Sequence, residues 1–257
     1  MRALSIAFLT VLIGPAAKLS SDTAQAFDNY VRLAEVQMQR NPALVWHEDE
    51  KARVRNGELV VFSERLNGDA PQMKIPGGLI HDWTGAIFIP RGTIAEARAL
   101  LQDYEHYKEI YAPDVIDSHL VSHNGDEFRV FLRLKEKQIV TVVYNSQYDV
   151  VYAQPDATHM TLASRSTRIA EVSDPGRSMT AEDPVGQDDG FLWRLNTYWR
   201  FEQTDGGVYA ECRAISLSRG LPFGFGWLRG FIQQFPRQSM MNTLNATKRS
   251  IAARAAG

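Results

Sequence analysis

Cysteine is nearly absent from this chain: Cys212 stands alone among 257 residues. One thiol can form neither an internal disulfide nor a thiolate metal cage, so a disulfide-stapled domain and a zinc ribbon are both excluded. Charge of one sign is lacking as well, since 28 Lys and Arg meet 30 Asp and Glu for a formal charge of −2. Without a basic excess to neutralise phosphates, a nucleic-acid module is not expected. No apolar stretch reaches the ~20 residues that a membrane-spanning helix needs. What is present is ordinary globular chemistry, 44% hydrophobic and 23% charged residues, which suits a sizeable buried core and argues against disorder.

Residues 1–26 carry the pattern of an export signal. Arg2 gives a positive start, residues 4–13 an apolar run, and Ala24-Gln25-Ala26 a small-x-small cleavage pattern. A cut there leaves a mature chain beginning at Phe27, with no integral membrane segment, periplasmic or secreted. The competing use of the same residues is a buried N-terminal helix.

From Phe27 onward, Tyr30, Val31, Ala34 and Met38 recur at spacings of three and four, which predicts an amphipathic helix that Pro42 ends. Residues 43–75 read as a connection holding one strand at 58–62, and the Pro- and Gly-rich stretch 71–78 reads as a boundary. The chain thus divides into a signal (1–26), an N-terminal α/β extension (27–78) and a main unit (79–257). In that unit residues 79–90 are rich in β-branched and aromatic side chains and predict a strand. Thr93 and Glu96 have capping-box spacing at the start of a helix expected to run until Pro113. Six strands follow, near 115–121, 127–135, 138–152, 160–172, 191–201 and 208–217, separated by turn sequences such as Asn124-Gly125-Asp126 and Asp205-Gly206-Gly207. Short turns force antiparallel pairing, so this is a meander. The long connection 177–190 reads as an exposed flap. A last helix is expected with Pro236 in its first turn and Met240, Leu244, Thr247 and Ile251 on one face.

The exit from the last strand, Ser218-Arg219-Gly220-Leu221-Pro222 followed by Trp227-Leu228, resembles the strand–Gly–apolar–Pro–helix passage of START lipid-transfer domains. The block Tyr198-Trp199-Arg200-Phe201-Glu202 before the Asp205-Gly206 turn is similar to the penultimate strand of exported START-like or polyketide-cyclase-like (SRPBCC) proteins. The resemblance covers residues 79–254 and implies an α+β helix-grip fold, a curved antiparallel sheet wrapped around a long C-terminal helix with a cavity between them. It has no counterpart for residues 27–78.

Alternation places Phe191, Trp193, Leu195, Thr197, Trp199 and Phe201 on one face of their strand, and gives the next strand an all-small face from Val208 through Cys212 to Ser218. Small residues let a helix or a ligand approach the sheet closely. The expected cavity candidates are Tyr144, Trp193, Asn196 and Trp199 from the sheet, and Trp227, Phe231, Met240, Met241 and Leu244 from the C-terminal passage. Arg168, Glu211 and Arg213 join them on a sharper reading, in which interior Arg hold the acidic head of an apolar ligand. The bland reading places those charges on a solvated outer face.

No metal site, cofactor or catalytic constellation is expected. Gly224-Phe225-Gly226-Trp227-Leu228-Arg229-Gly230 has one residue too many for a dinucleotide loop, His119 and His123 have no partner carboxylates in pattern, and no G-x-S-x-G elbow exists. The leading expectation is a non-enzymatic binder, or transporter, of a hydrophobic small molecule or lipid. The alternatives are a cyclase- or hydrolase-like enzyme using His81, Asp82 or the interior Arg, and a cell-envelope interaction protein docking through residues 27–78.

Overall fold

The computed structural model describes residues 17–40, 48–63, 72–137, 141–220 and 229–255. It opens with β1 (Ala17–Lys18), α1 (Ser21–Arg40), α2 (Glu48–Arg55), β2 (Val60–Ser63), β3 (Gln72–Ile75) and β4 (Gly78–Pro90). Two short helices follow, α3 (Ile94–Leu101) and α4 (Tyr107–Ile110), joined by a 3₁₀ turn at Tyr104–His106. The meander is β5 (Val115–Asn124), β6 (Glu127–Lys137), β7 (Thr141–Ala153), β8 (His159–Asp174), β9 (Ser178–Glu182), β10 (Gln187–Asp188), β11 (Arg194–Thr204) and β12 (Gly207–Arg219), and α5 (Arg229–Arg254) closes the fold.

The main sheet runs β2-β4-β12-β11-β8-β7-β6-β5, every pair antiparallel, with β3 added to β4 and β9 to β8. Register follows alternation. On β4 the odd residues Ile87 and Ile89 face the helix α5 and its Leu244 and Ile251, whereas Ile80, Ala86 and Phe88 pack on the other face. Irregularities at Val115/Asp117, Leu120/Ser122 and Gln147/Tyr148 bend the far strands. The sheet therefore curls, and β4 and β6, well apart in its order, look into the same interior.

That interior receives α5. Met240, Leu244, Thr247 and Ile251 are all buried on its sheet-facing stripe. The helix comes in close because Gly85 leaves room: a Cβ there would stand 2.5 Å from Leu244 Cδ1 and 3.0 Å from Met240 Cγ. Gly85→Ala is accordingly expected to lower stability by about 1–3 kcal/mol through overpacking, read as an earlier midpoint in urea with an unchanged slope. Helix α5 starts upstream of expectation. Pro236 lies inside it rather than in its first turn.

The N-terminal segment covers the opposite face. Helix α1 buries Phe27, Tyr30, Val31 and Ala34 against Ile80, Trp193, Tyr198, Ile215 and Leu217, and α2 buries Val54 over Phe88 and Tyr209. Arg55 stacks on Phe88 at 4.1 Å and Lys51 on Tyr209 at 5.3 Å, so the stems of charged residues complete this layer. Strands β2 and β3 both pair with β4. Both strands thus extend the sheet instead of linking to it, because the Pro76-Gly77 turn folds β3 back as a hairpin with Gly77 at φ 66°. The triplet Ala24-Gln25-Ala26 falls within α1, one turn after a helix start in which Ser20 Oγ accepts from the Thr23 amide at 3.1 Å.

Two other expectations change. The helix capped by Thr93 and Glu96 has its full capping box, but it stops at Leu101 instead of reaching Pro113. The Leu101 carbonyl accepts from the hydroxyls of Tyr107 (2.5 Å) and Tyr152 (2.7 Å), which satisfies the open helix end and lets the chain turn. The stretch 177–190 is not a free flap: β9 pairs with β8, β10 pairs with β1, and Glu182 ties to Arg168 and to Asn145 (2.8 Å).

Candidate functional site

Between the curled sheet, the α3–α4 turn and α5 lies a cavity of about 840 Å³. The α3–α4 region gives it Leu101, Tyr104, Tyr107 and Tyr111. From β6 come Val130, Leu132 and Leu134, and from β7 Val142, Tyr148 and Val150. Strands β11 and β12 contribute Leu195, Thr197 and Trp199 opposite Cys212, Ala214, Ser216 and Ser218, while Pro236, Met240 and Thr243 of α5 close it. The small face of β12 is thus the cavity floor. Most of this wall is apolar because four strands turn their alternating hydrophobic side inward, and α5 does not fill the space between them.

Polar groups interrupt the wall at a few points. Most tyrosine hydroxyls are spent internally: Tyr104 pairs with Tyr152 at 2.8 Å, and Tyr111 with Thr247 at 3.2 Å. Near the junction of β4 and β12, His81 Nε2 lies 2.9 Å from Ser218 Oγ, both residues lining the cavity. A serine beside an imidazole is the start of a nucleophile–base pair, yet burial pushes His81 down to about 4. Such a weak base is poorly matched to activating a hydroxyl at neutral pH. Asp82 does not help, because it faces the other side of β4.

At the other end, Glu136 continues the β6 face of Val130, Leu132 and Leu134 into the cavity. It makes no hydrogen bond or ion pair among the described residues. Burial, with the negative charge of Asp114 adding to it, pushes its carboxyl up to about 7. Tyr148 lines the same cavity, and its buried hydroxyl has no hydrogen-bond partner among the described residues, while Ser146, two residues earlier on β7, donates to the Leu132 carbonyl at 2.7 Å. Its phenol is pushed up to about 12 by burial. Asp114 is held to α5 by Asn242 Nδ2 at 3.0 Å.

The structure brings only part of the expected set to this cavity. Trp199 and Met240 line it. Leu244 is buried against Gly85 and Met241 is half-buried beside Met240, neither reaching the wall. Tyr144 packs with Val142, Ile169 and Leu192. Trp227 and the side chain of Phe231 lie outside the described residues. The remaining five are on the opposite side of the sheet. Trp193 packs under α1 and donates to Asp188 Oδ1 at 2.9 Å, Asn196 accepts from the Ser166 amide at 3.2 Å, and Arg168 pairs with Glu182. Glu211 meets Arg200 at 3.3 Å, and Arg213 grips Asp82 through two bonds of 2.6 and 2.9 Å. The interior Arg of the sharper reading are therefore not interior to the grip. The layer around Asp82 and Arg213 is not solvated either, because α1 covers it.

Strand order, the curl of the sheet and the buried terminal helix define an α+β helix-grip fold of START-like architecture. No protein-family model matches the sequence, and no curated protein matches it. Among solved structures the chain is similar to a protein of Thermus thermophilus, with 14% identity over 66% of this chain and 97% of that one and a TM-score of 0.48. It is similar to a STAR-related lipid transfer protein fragment from Xanthomonas axonopodis, with 15% identity over 70% of this chain and 97% of that one and a TM-score of 0.46. The Zhui aromatase/cyclase of Streptomyces sp. R1128 shows 11% identity over 68% and 95% of the two chains, with a TM-score of 0.47.

Proposed function

We propose that the protein binds a hydrophobic small molecule or lipid in the cavity between the sheet and α5, and carries it rather than transforming it. The observation that carries this reading is the cavity itself: about 840 Å³ of largely apolar space that the core leaves open. Small-molecule sites fall in the range of roughly 300–1,000 Å³ and pair an apolar lining with a few polar groups. Transport rather than chemistry is supported by the neutral, weakly basic state of His81 beside Ser218. Export belongs to the same proposal, with the apolar run 4–13 as its leader.

The test is native mass spectrometry of the purified chain, joined to titration with the uncharged fluorophore N-phenyl-1-naphthylamine. Co-purified apolar species and saturable fluorescence enhancement are expected. Ala214→Trp, which places an indole on the cavity floor, is expected to weaken the fluorophore by at least about tenfold, roughly 1.4 kcal/mol, while the variant still unfolds cooperatively. No enhancement with wild type, or equal binding by Ala214→Trp, overturns the reading.

A further inference from the structure

The hydroxyls around the cavity fall into two sets. Those of the α3–α4 side are engaged: Tyr104 with Tyr152, Tyr107 on the Leu101 carbonyl and Tyr111 with Thr247. Those of the sheet floor are open. Ser164 on β8, Thr197 on β11 and Ser216 on β12 all line the cavity, and none of the three makes a side-chain hydrogen bond among the described residues. Ser216 is 8% exposed, and its hydroxyl opens onto the cavity.

Strand register joins these groups into one band. Ser164 stands directly opposite Thr197. Thr197 stands opposite Ala214, which puts Ser216, two residues on, at its diagonal. Ser216 in turn faces His81 across the β12–β4 pair, and His81 Nε2 lies 2.9 Å from Ser218 Oγ. Opposed side chains have Cβ atoms about 4.5–5.5 Å apart and diagonal ones about 7–8 Å, so polar groups run without a break across four strands. On both sides of the band the floor is apolar, with Leu162, Trp199 and Cys212 in one direction and Leu79, Phe191 and Leu192 in the other.

The band carries no charge. Serine and threonine are neutral, and burial pushes His81 down to about 4, so it too is uncharged at neutral pH. The cavity's lysines lie at a distance: Lys135 pairs with Val143 and Ser164 with Val150, seven positions along β7, about 20 Å at ~3.3 Å per residue. The Arg219 guanidinium stacks on Phe191 at 5.4 Å. A buried hydroxyl left without a partner costs about 1–3 kcal/mol, and a hydroxyl both donates and accepts, so a bound oxygen of either kind completes it. An ionised group placed on the band would lose its hydration with no countercharge beside it, whereas an uncharged oxygen needs none.

We propose that Ser164, Thr197 and Ser216 form the recognition element of the cavity, and that the ligand carries an uncharged oxygen group, a hydroxyl or a carbonyl, within its body rather than at its end, with apolar portions lying on both sides of the band. This rests on the cavity-binding reading above and goes further by fixing where on the ligand its polarity falls.

The experiment displaces N-phenyl-1-naphthylamine from the full chain at mildly alkaline pH with three probes. Tridecan-7-ol and tridecan-1-ol differ in where the hydroxyl sits, and 2-hexyloctanoate puts a carboxylate at the same mid-chain place. Tridecan-7-ol is expected to compete at about fivefold lower concentration than its isomer, the gain of one net hydrogen bond, and 2-hexyloctanoate to be the weakest of the three. In the triple variant Ser164→Ala, Thr197→Val, Ser216→Ala the two alcohols are expected to come within about twofold of each other, and the variant to unfold in urea no earlier than wild type, since none of the three hydroxyls holds a protein partner. If that variant does not fold, Thr197→Val and Ser216→Ala taken singly replace it, each expected to narrow the gap between the isomers. Equal competition by the two alcohols in wild type, or an undiminished gap in the variants, overturns the band while leaving cavity binding intact. Stronger competition by 2-hexyloctanoate than by tridecan-7-ol overturns the uncharged group. Failure of the fluorophore itself to bind overturns both this proposal and the cavity reading.

Discussion

Arg213→Met is expected to destabilise the protein by about 3–5 kcal/mol, the range for breaking a buried ion pair from one side. The magnitude follows from where the pair lies. Asp82 and Arg213 side chains are 2% and 5% exposed, under α1, and the guanidinium bonds both carboxylate oxygens at 2.9 and 2.6 Å. Tyr30 of α1 donates a third bond to Asp82 at 2.8 Å, its phenol pushed up by burial and by that carboxylate. Removing the guanidinium leaves the carboxylate's charge unbalanced in a dry layer, and the loss loosens α1 as well as the sheet. The contrasting pair is Arg165–Glu35 at 2.7 Å, 44% and 26% exposed, for which Arg165→Met is worth only about 0–1 kcal/mol. Urea unfolding of both variants checks the difference. The triple variant Tyr30→Phe, Asp82→Leu, Arg213→Met should recover most of the loss, since an apolar layer of similar volume replaces a buried ion pair at little cost. If Arg213→Met unfolds within about 1 kcal/mol of wild type, the value of an exposed pair, water reaches this layer and its burial is not what holds α1 down.

That ion pair also shows where sequence reasoning stopped. Alternation assigns the faces of β12 correctly, down to the small row Val208, Ala210, Cys212, Ala214, Ser216, Ser218, whose last four members floor the cavity. It was silent on which polar residues look inward, because both faces of β4 and β12 are buried: His81 and Asp82 are adjacent, both hidden, and on opposite sides. A one-sided sheet would have given the answer, with charges outside and apolar residues inside. Here α1 and α2 cover the outer face, and α2 was not legible because Glu-Asp-Glu-Lys-Ala-Arg-Val-Arg offers a single buried apolar residue, Val54. Glu136 was legible in principle. It is the one carboxyl extending the row Val130, Leu132, Leu134, and a charge on the apolar phase of a strand is a signal that sequence does carry. Charge at Arg168, Glu211 and Arg213 carries a similar signal, because sequence gives no depth and does not tell the wall of a cavity from the layer behind it.

A chain beginning at Phe27 is expected to be less stable than one beginning at Ala17 by about 3 kcal/mol or more, summing a helix cap of ~1 kcal/mol and two hydrogen bonds of ~1 kcal/mol each before any apolar burial is added. The segment between those residues is built into the fold. Ala17 and Lys18 pair with β10, the Leu19 amide donates to the Gly186 carbonyl at 2.8 Å, and Leu19 and Ala26 pack beside the α1 cluster. Ser20 caps the helix, and Thr23, only 1% exposed, donates to the Pro76 carbonyl at 2.7 Å and so fixes α1 to the hairpin that starts β4. Cutting after Ala26 removes all of this, turns the nitrogen of the buried Phe27 into a charged terminal amine and takes from the amide of the buried Tyr30 its helical acceptor, the Ala26 carbonyl. Export followed by cleavage at Ala24-Gln25-Ala26 would then release a weakened fold. Cleavage nearer the apolar run 4–13 would keep α1 whole. Thermal melting of the two chains, paired with N-terminal sequencing of the exported product, separates these outcomes. If the Phe27 chain melts with the longer one, residues 17–26 are dispensable and the Ala26 cut stands. If it melts well below, residues 17–26 belong to the stable fold, because the face of the sheet that carries Asp82 and Arg213 stays dry only under an intact α1.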